Sequence, residues 1–251
     1  MKYWIVIFAC AALHLAYAQD SILVFDRPGV ADSPYLTMPK KWYIEAGYGL
    51  TNSTKWSDLL APSCMLRKSI YRKAEIRIAI NTTPQSNDFI VKTEDIDGNF
   101  ASIGIKHKLF KEQKLRPETA IIVNTYSGLS FIKNSKLINA FAYEAQLLFQ
   151  NNLNDFFSVN YNLGFIRFAS QNTSYINQST CLNFAFTNNL GAFVENFNYW
   201  NLNTNFFEAS YDFGLIYSFK DKYQIDVSYI ANHSKQKTHY GTLQAGFSVK
   251  L

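Results

Sequence analysis

The chain is poor in the residues that build catalytic and metal centres. Its 251 residues contain only 4 His and 3 Cys. Cys10 sits in the N-terminal apolar run, leaving Cys64 and Cys181. Two cysteines are too few for a disulfide framework and have no metal-ligand spacing, although one bridge between them stays open. The histidines are His14, His107, His233 and His239. Hydrolytic Ser–His chemistry needs nucleophile and base side by side with a third group orienting the imidazole, and no motif here builds that. His233 and His239 fall in or beside one loop, and two histidines there fall short of a zinc site. No glycine-rich phosphate loop is present. These absences argue against an enzyme and predict no cofactor and no metal. Blocks of like charge are also missing: 24 Lys and Arg against 19 Asp and Glu are scattered, which does not suggest nucleic-acid binding. Proline is scarce, at 6. Beyond the N-terminus no apolar run reaches the roughly 18 residues of a membrane-spanning helix.

What is present begins with an export signal. Met1-Lys2 is a short positive start, Tyr3 to Leu15 is apolar except for His14, and Ala16-Tyr17-Ala18 places small residues where a signal peptidase reads. Residues 1–18 are therefore expected to be a signal peptide for Sec export. Aromatics are abundant, with 21 Phe and 16 Tyr. A soluble secreted β-sandwich could hold them in its core, and a transmembrane barrel would hold them outside and in girdles. Periodicity separates the two.

Phe207 to Phe219 alternates with period two: Phe207, Ala209, Tyr211, Phe213, Leu215, Tyr217 and Phe219 on one face, Glu208, Ser210, Asp212, Gly214 and Ser218 on the other. This run is longer than a usual soluble strand of about 5–6 residues and long enough to cross a bilayer at a tilt. Its carboxylates must then face a polar lumen. The same alternation recurs along the chain and predicts about twelve strands. Their expected spans are 41–50, 61–70, 73–81, 100–110, 117–128, 138–150, 154–167, 179–188, 190–200, 207–219, 222–231 and 240–251. Short links follow the even-numbered strands and most longer links follow the odd-numbered ones, the pattern of periplasmic turns and outer loops. The expected fold is therefore all-β: a transmembrane antiparallel up-and-down β-barrel over residues 41–251, both termini periplasmic. One stretch resists. In "GAFVENFNYW", Glu195 shares a face with Phe193, Phe197 and Tyr199, which calls for a bulge or a local polar contact. Ile166 is apolar on an inward register.

The inward register collects the candidate functional charges: Glu45, Arg67, Glu75, Arg77, Lys106, Lys108, Glu144, Glu208, Asp212, Asp226 and Lys250. Mixed signs suit cross-barrel ion pairs that either brace the lumen or tune what passes. Residues 19–40 precede the first strand and contain Asp26, Arg27, Pro28, Pro34 and Pro39, so they should be extended. This periplasmic N-terminal segment is a candidate plug, with Asp26, Arg27 and Pro28 entering the mouth and the two charges pairing to the lumen. A flexible lead-in is the alternative.

Several strings resemble a family. "FDRPGVADSPYLTMPKKWYIEAGYG" carries Asp26-Arg27-Pro28, Ser33-Pro34, Pro39 and Glu45. "APSCMLRKSIYRKAEIRIAIN", "SIGIKHKLFKEQKLRPETAIIV", "FVENF" and "YDFGLIYSFKDKYQIDVSY" follow in order. Together they resemble the outer-membrane transporter-like family named for the meta-pathway of phenol degradation, Bacteroidetes-type members especially. Departures are Lys41-Trp42-Tyr43 at the first strand and the terminal Leu251, where such barrels commonly end in Phe or Trp. The resemblance implies a porin-like monomeric channel or transporter of the bacterial outer membrane for a small solute, hydrophobic or aromatic in some members. Its partners would be outer-membrane lipid, the barrel-insertion machinery and an unknown small solute, with no nucleic acid. The alternative is a non-transport envelope barrel, adhesive or structural, acting through its outer loops.

Overall fold

The computed structural model describes residues 24–53, 59–82, 99–128, 141–169, 172–233 and 239–251. The expected signal peptide lies outside these residues, as do His14 and the loop between His233 and His239. The described chain forms twelve strands: β1 (Trp42–Ser53), β2 (Leu59–Tyr71), β3 (Ala74–Thr82), β4 (Asn99–Phe110), β5 (Glu118–Gly128), β6 (Phe141–Asn152), β7 (Phe157–Phe168), β8 (Thr173–Ala185), β9 (Leu190–Asn201), β10 (Phe207–Phe219), β11 (Tyr223–His233) and β12 (His239–Lys250). Each pairs antiparallel with its sequence neighbours, and β1 pairs with β12 to close the barrel. Closure leaves no sheet edge, so every strand has partners on both sides.

The alternation of side chains produces two surfaces. Ile78, Ile80, Ile103, Ile105, Val123, Leu163, Phe213, Leu215, Val227 and Leu243 are exposed on the outside. Glu45, Arg67, Glu75, Lys106, Asp212 and Ser248 are buried on the inside. An apolar belt around a polar interior is the arrangement a bilayer requires of a barrel. The barrel has two unlike rims. The turn end carries the start of β1, the end of β12 and the two-residue turn Arg72-Lys73. The opposite end, the loop end, carries the last residues of β3 and β5 and the first of β4 and β6.

Two expectations need correction. The strand expected at 179–188 runs over Thr173–Ala185. Its first turn-like residues, "TSYINQ", already alternate: Tyr175 and Asn177 are buried inside. Polar side chains suit a strand whose inner face is a polar lumen, and the link before it shrinks to residues 169–172. Strand β9 is the second case. Phe193, Glu195 and Phe197 are 2%, 1% and 1% exposed, whereas Val194 is 50% exposed. Pairing of β9 with β8 and β10 runs without a register shift, so no bulge intervenes. The face bearing these aromatics is the inner one. Phe193 packs on Ala31 of the N-terminal segment, which gives an apolar ring a partner inside a polar lumen. The outward Asn196 and Asn198 are satisfied locally: the Asn198 amide donates to Gln178 Oε1 at 2.6 Å and to Asn196 Oδ1 at 2.7 Å, and Asn196 donates to the Ser210 carbonyl at 3.1 Å. Cys64 and Cys181 are both free thiols.

This register is testable in lipid. Val194→Lys should lower stability in phospholipid bilayers by about 2–4 kcal/mol, the cost of a lipid-facing cation at mid-depth. Phe193→Lys would place its charge in the lumen and should cost less; denaturant titration of the reconstituted barrel compares the two.

Candidate functional site

The residues before β1 are not a free lead. Residues 24–39 run inside the barrel, touching inward side chains of β1, β2, β3, β4, β7, β9 and β11. Pro28, Pro34 and Pro39 bar a helix here, and an extended chain leaves its backbone amides and carbonyls without intrachain partners. The wall supplies them. Glu45 accepts from the amides of Asp26 and Arg27 at 3.1 and 2.9 Å, Glu75 from that of Thr37 at 2.7 Å, and Glu195 from that of Val30 at 2.8 Å. In return Lys106 donates to the carbonyls of Ser33 and Tyr35 at 2.9 and 3.3 Å, Gln224 to that of Arg27 at 3.1 Å, and Asn162 to that of Asp32 at 3.1 Å.

Charge pairs hold the same segment. Asp26 Oδ2 lies 2.8 Å from Lys106 Nζ, 3.1 Å from Arg67 Nη2 and 3.3 Å from Arg77 Nη1. Arg67, wholly buried, also meets Glu45 at 2.7 Å and Glu75 at 2.8 Å. The two wall carboxylates therefore each bind a guanidinium nitrogen and a segment amide. Burial alone would raise the Asp26 carboxyl, but Arg67, Lys106 and Arg77 outweigh it and hold the group well below the usual carboxylate range. Asp32 goes the other way: burial dominates and raises it, with the 2.8 Å contact to Arg77 only partly offsetting. Arg27 reaches across to Asp226 at 3.2 Å and Ser63 at 3.3 Å. Its guanidinium lies against Gly47 and Gly246, which face each other across β1 and β12; a Cβ on either would come within 2.3 Å of it. Those glycines are needed for close approach.

All eleven inward charges expected from the alternation lie on the inner face, and they fall into three groups. Glu45, Arg67, Glu75, Arg77, Lys106 and Asp226 bind the segment. Lys108 pairs with Glu118 near the turn end, where Lys250 Nζ lies 3.9 Å from Met38 Sδ. Glu144, Glu208 and Asp212 stand on β6 and β10, away from the segment's ion pairs. The structure adds Asp32, Thr37 and Glu195, none of which the inward set contained. Glu195 was hidden by its aromatic companions. Asp32 and Thr37 carry no periodic signal because the segment has no regular face.

Beyond the segment, toward the loop end, a cavity of about 310 Å³ remains in the lumen. Val30, Asp32 and Arg77 lie on its segment side and Glu144 on its wall. Glu144 Oε1 accepts from Asn177 Nδ2 at 2.8 Å, and Oε2 accepts from Asn124 Nδ2 at 3.1 Å and the Tyr126 hydroxyl at 2.5 Å.

No protein-family model matches the chain, and no curated protein matches it in sequence. Solved structures match it in fold. The KdgM porin in complex with disordered oligogalacturonate superposes with a TM-score of 0.59 at 9% identity, covering 82% of this chain and 98% of that one. An outer-membrane channel from Pseudomonas putida F1 gives 0.56 at 10% identity, covering 89% and 100%. The CymD monoaromatic hydrocarbon channel gives 0.50 at 8% identity, covering 85% and 88%. The chain thus has the fold of outer-membrane porins and channels.

Two outcomes follow from the network. Arg67→Met leaves Glu45 and Glu75 buried without their cation, and should cost about 3–5 kcal/mol in denaturant unfolding. Because Asp26 is depressed in the folded state, its contribution is present above the ordinary carboxylate pKa and is lost only as pH falls below it. The loss of unfolding free energy on Asp26→Asn should therefore be the same at about pH 7 and about pH 4 and shrink only below that, which denaturant titration of the two chains at each pH checks.

Proposed function

We propose that this protein is an outer-membrane channel for a small solute, narrowed by its own N-terminal segment. The observation that carries the reading is the closed barrel, apolar outside and charged inside, whose lumen is crossed by residues 24–39 and pinned there by Asp26 and Arg67. A twelve-stranded wall is wider than the eight-stranded barrels that side chains alone fill, so an additional element is needed to set the aperture. With the turn end in the periplasm, both termini lie on that side, residues 1–18 serve as the export signal, and the cavity lies in the half of the lumen away from the periplasm. The ordered strings from "FDRPG" to "YQIDVSY" favour kinship with the transporter-like family named for the meta-pathway of phenol degradation. The matched folds carry different cargo in their names, an oligogalacturonate for one and a monoaromatic hydrocarbon for another, so fold alone does not assign a solute.

Single-channel recording in planar bilayers tests the reading. The full chain should show a small conductance, and a variant lacking residues 24–36 a severalfold larger one. Equal conductance would remove the segment's role. A sealed barrel in both forms would favour an envelope protein acting through its outer loops.

A further inference from the structure

The lumen is electrostatically lopsided. On the side of β1 to β4, every buried acid meets a cation: Glu45 and Glu75 meet Arg67, and Asp26 meets Arg67, Arg77 and Lys106. On the side of β6 to β10, Glu144, Glu195 and Asp212 point inward, and among the described residues none of them forms an ion pair. The cavity of about 310 Å³ lies between these two halves, with Glu144 in its wall. Its volume sits at the lower end of small-ligand pockets.

The chemistry of the cavity selects by sign. Arg77, its one cationic lining residue, is already engaged by Asp32 at 2.8 Å and Asp26 at 3.3 Å. The amides of Asn124 and Asn177 and the Tyr126 hydroxyl each direct a hydrogen to the Glu144 carboxylate. Neutral donors solvate a buried carboxylate but leave its charge in place. An anion would meet two lining acids, Asp32 and Glu144, and among the lining residues no cation that is not already paired, and a neutral polyol would leave Glu144 without a counter-charge. A cation meets it, and Tyr126 and Tyr199 among the lining residues belong to the aromatic class that organic cations favour.

We infer that the loop-side cavity is a binding site for a small organic ammonium compound, with Glu144 as its counter-charge. The inference deepens the channel reading, since it names the class of solute the lumen admits. Binding in detergent does not depend on passage, so the two stand or fall separately: flux without binding would sink this inference alone, and binding without flux would sink the channel alone.

The experiment is calorimetric titration of the detergent-solubilised full chain with choline, with its uncharged carbon isostere dimethylbutanol, and with acetate. Choline should bind saturably, and the other two should not. Glu144→Gln keeps the shape and removes the charge, and should weaken choline by about tenfold or more, as loss of a charged contact does. Gln146 also lines the cavity, and Gln146→Glu should tighten choline severalfold. That variant decides the matter if the first fails to fold. Absence of choline binding, equal binding of dimethylbutanol, or indifference to both substitutions would overturn the assignment.

Discussion

The charges of β1 to β4 and of the N-terminal segment are matched inside a closed wall, and that matching organises this molecule. The apolar exterior sends most of the strands' charged residues inward, where water is scarce and an unmatched ion is costly. Arg67 is the point at which the cost is met. It binds Asp26, Glu45 and Glu75 at once, tying β1, β2 and β3 to the N-terminal segment. Remove the segment and Arg67, Arg77 and Lys106 share two fewer acids, because Asp26 and Asp32 both belong to it. The segment and the wall are thus two halves of one neutralisation.

The same requirement explains why the segment is unfolded in the sense of secondary structure yet fixed in place. Prolines deny it a helix, and the closed sheet offers it no edge. Its amides are satisfied by carboxylates instead of by carbonyls, an arrangement open only to a chain threaded through a charged interior. Where the segment passes close to the wall, Gly47 and Gly246 make room for Arg27. Where it passes β6 to β10 it brings no cation, so among the described residues Glu144, Glu195 and Asp212 are left without an ion pair, Glu144 in the wall of the remaining cavity.

Much of the barrel is legible in the sequence because a strand between lipid and a polar lumen has to alternate. Phe207 to Phe219 shows this in full, and the observed β10 has those bounds. The rule reads poorly where the lumen itself is apolar or the strand is polar on both faces. In β9, Phe193 and Phe197 point inward to pack on the segment and on Tyr199, so hydrophobicity alone assigns that strand the wrong side. Glu195 carried the better signal. In β8 the stretch from Thr173 reads as a loop because its outward Gln178 finds partners in its neighbours, Thr180 and Asn198, a satisfaction invisible without the paired strands.

The sequence by itself determined the class of fold and the number of strands, because each depends on a local period of two and on link length. Only the tertiary structure decided which charges meet. Asp26 and Lys106 are 80 residues apart in the chain and Arg27 and Asp226 are 199 apart, and their contact depends on the stagger of a closed sheet and on the path of an irregular segment. Neither leaves a periodic trace. The sign imbalance across the lumen is likewise a sum over contacts, so it emerges only when the partners are known.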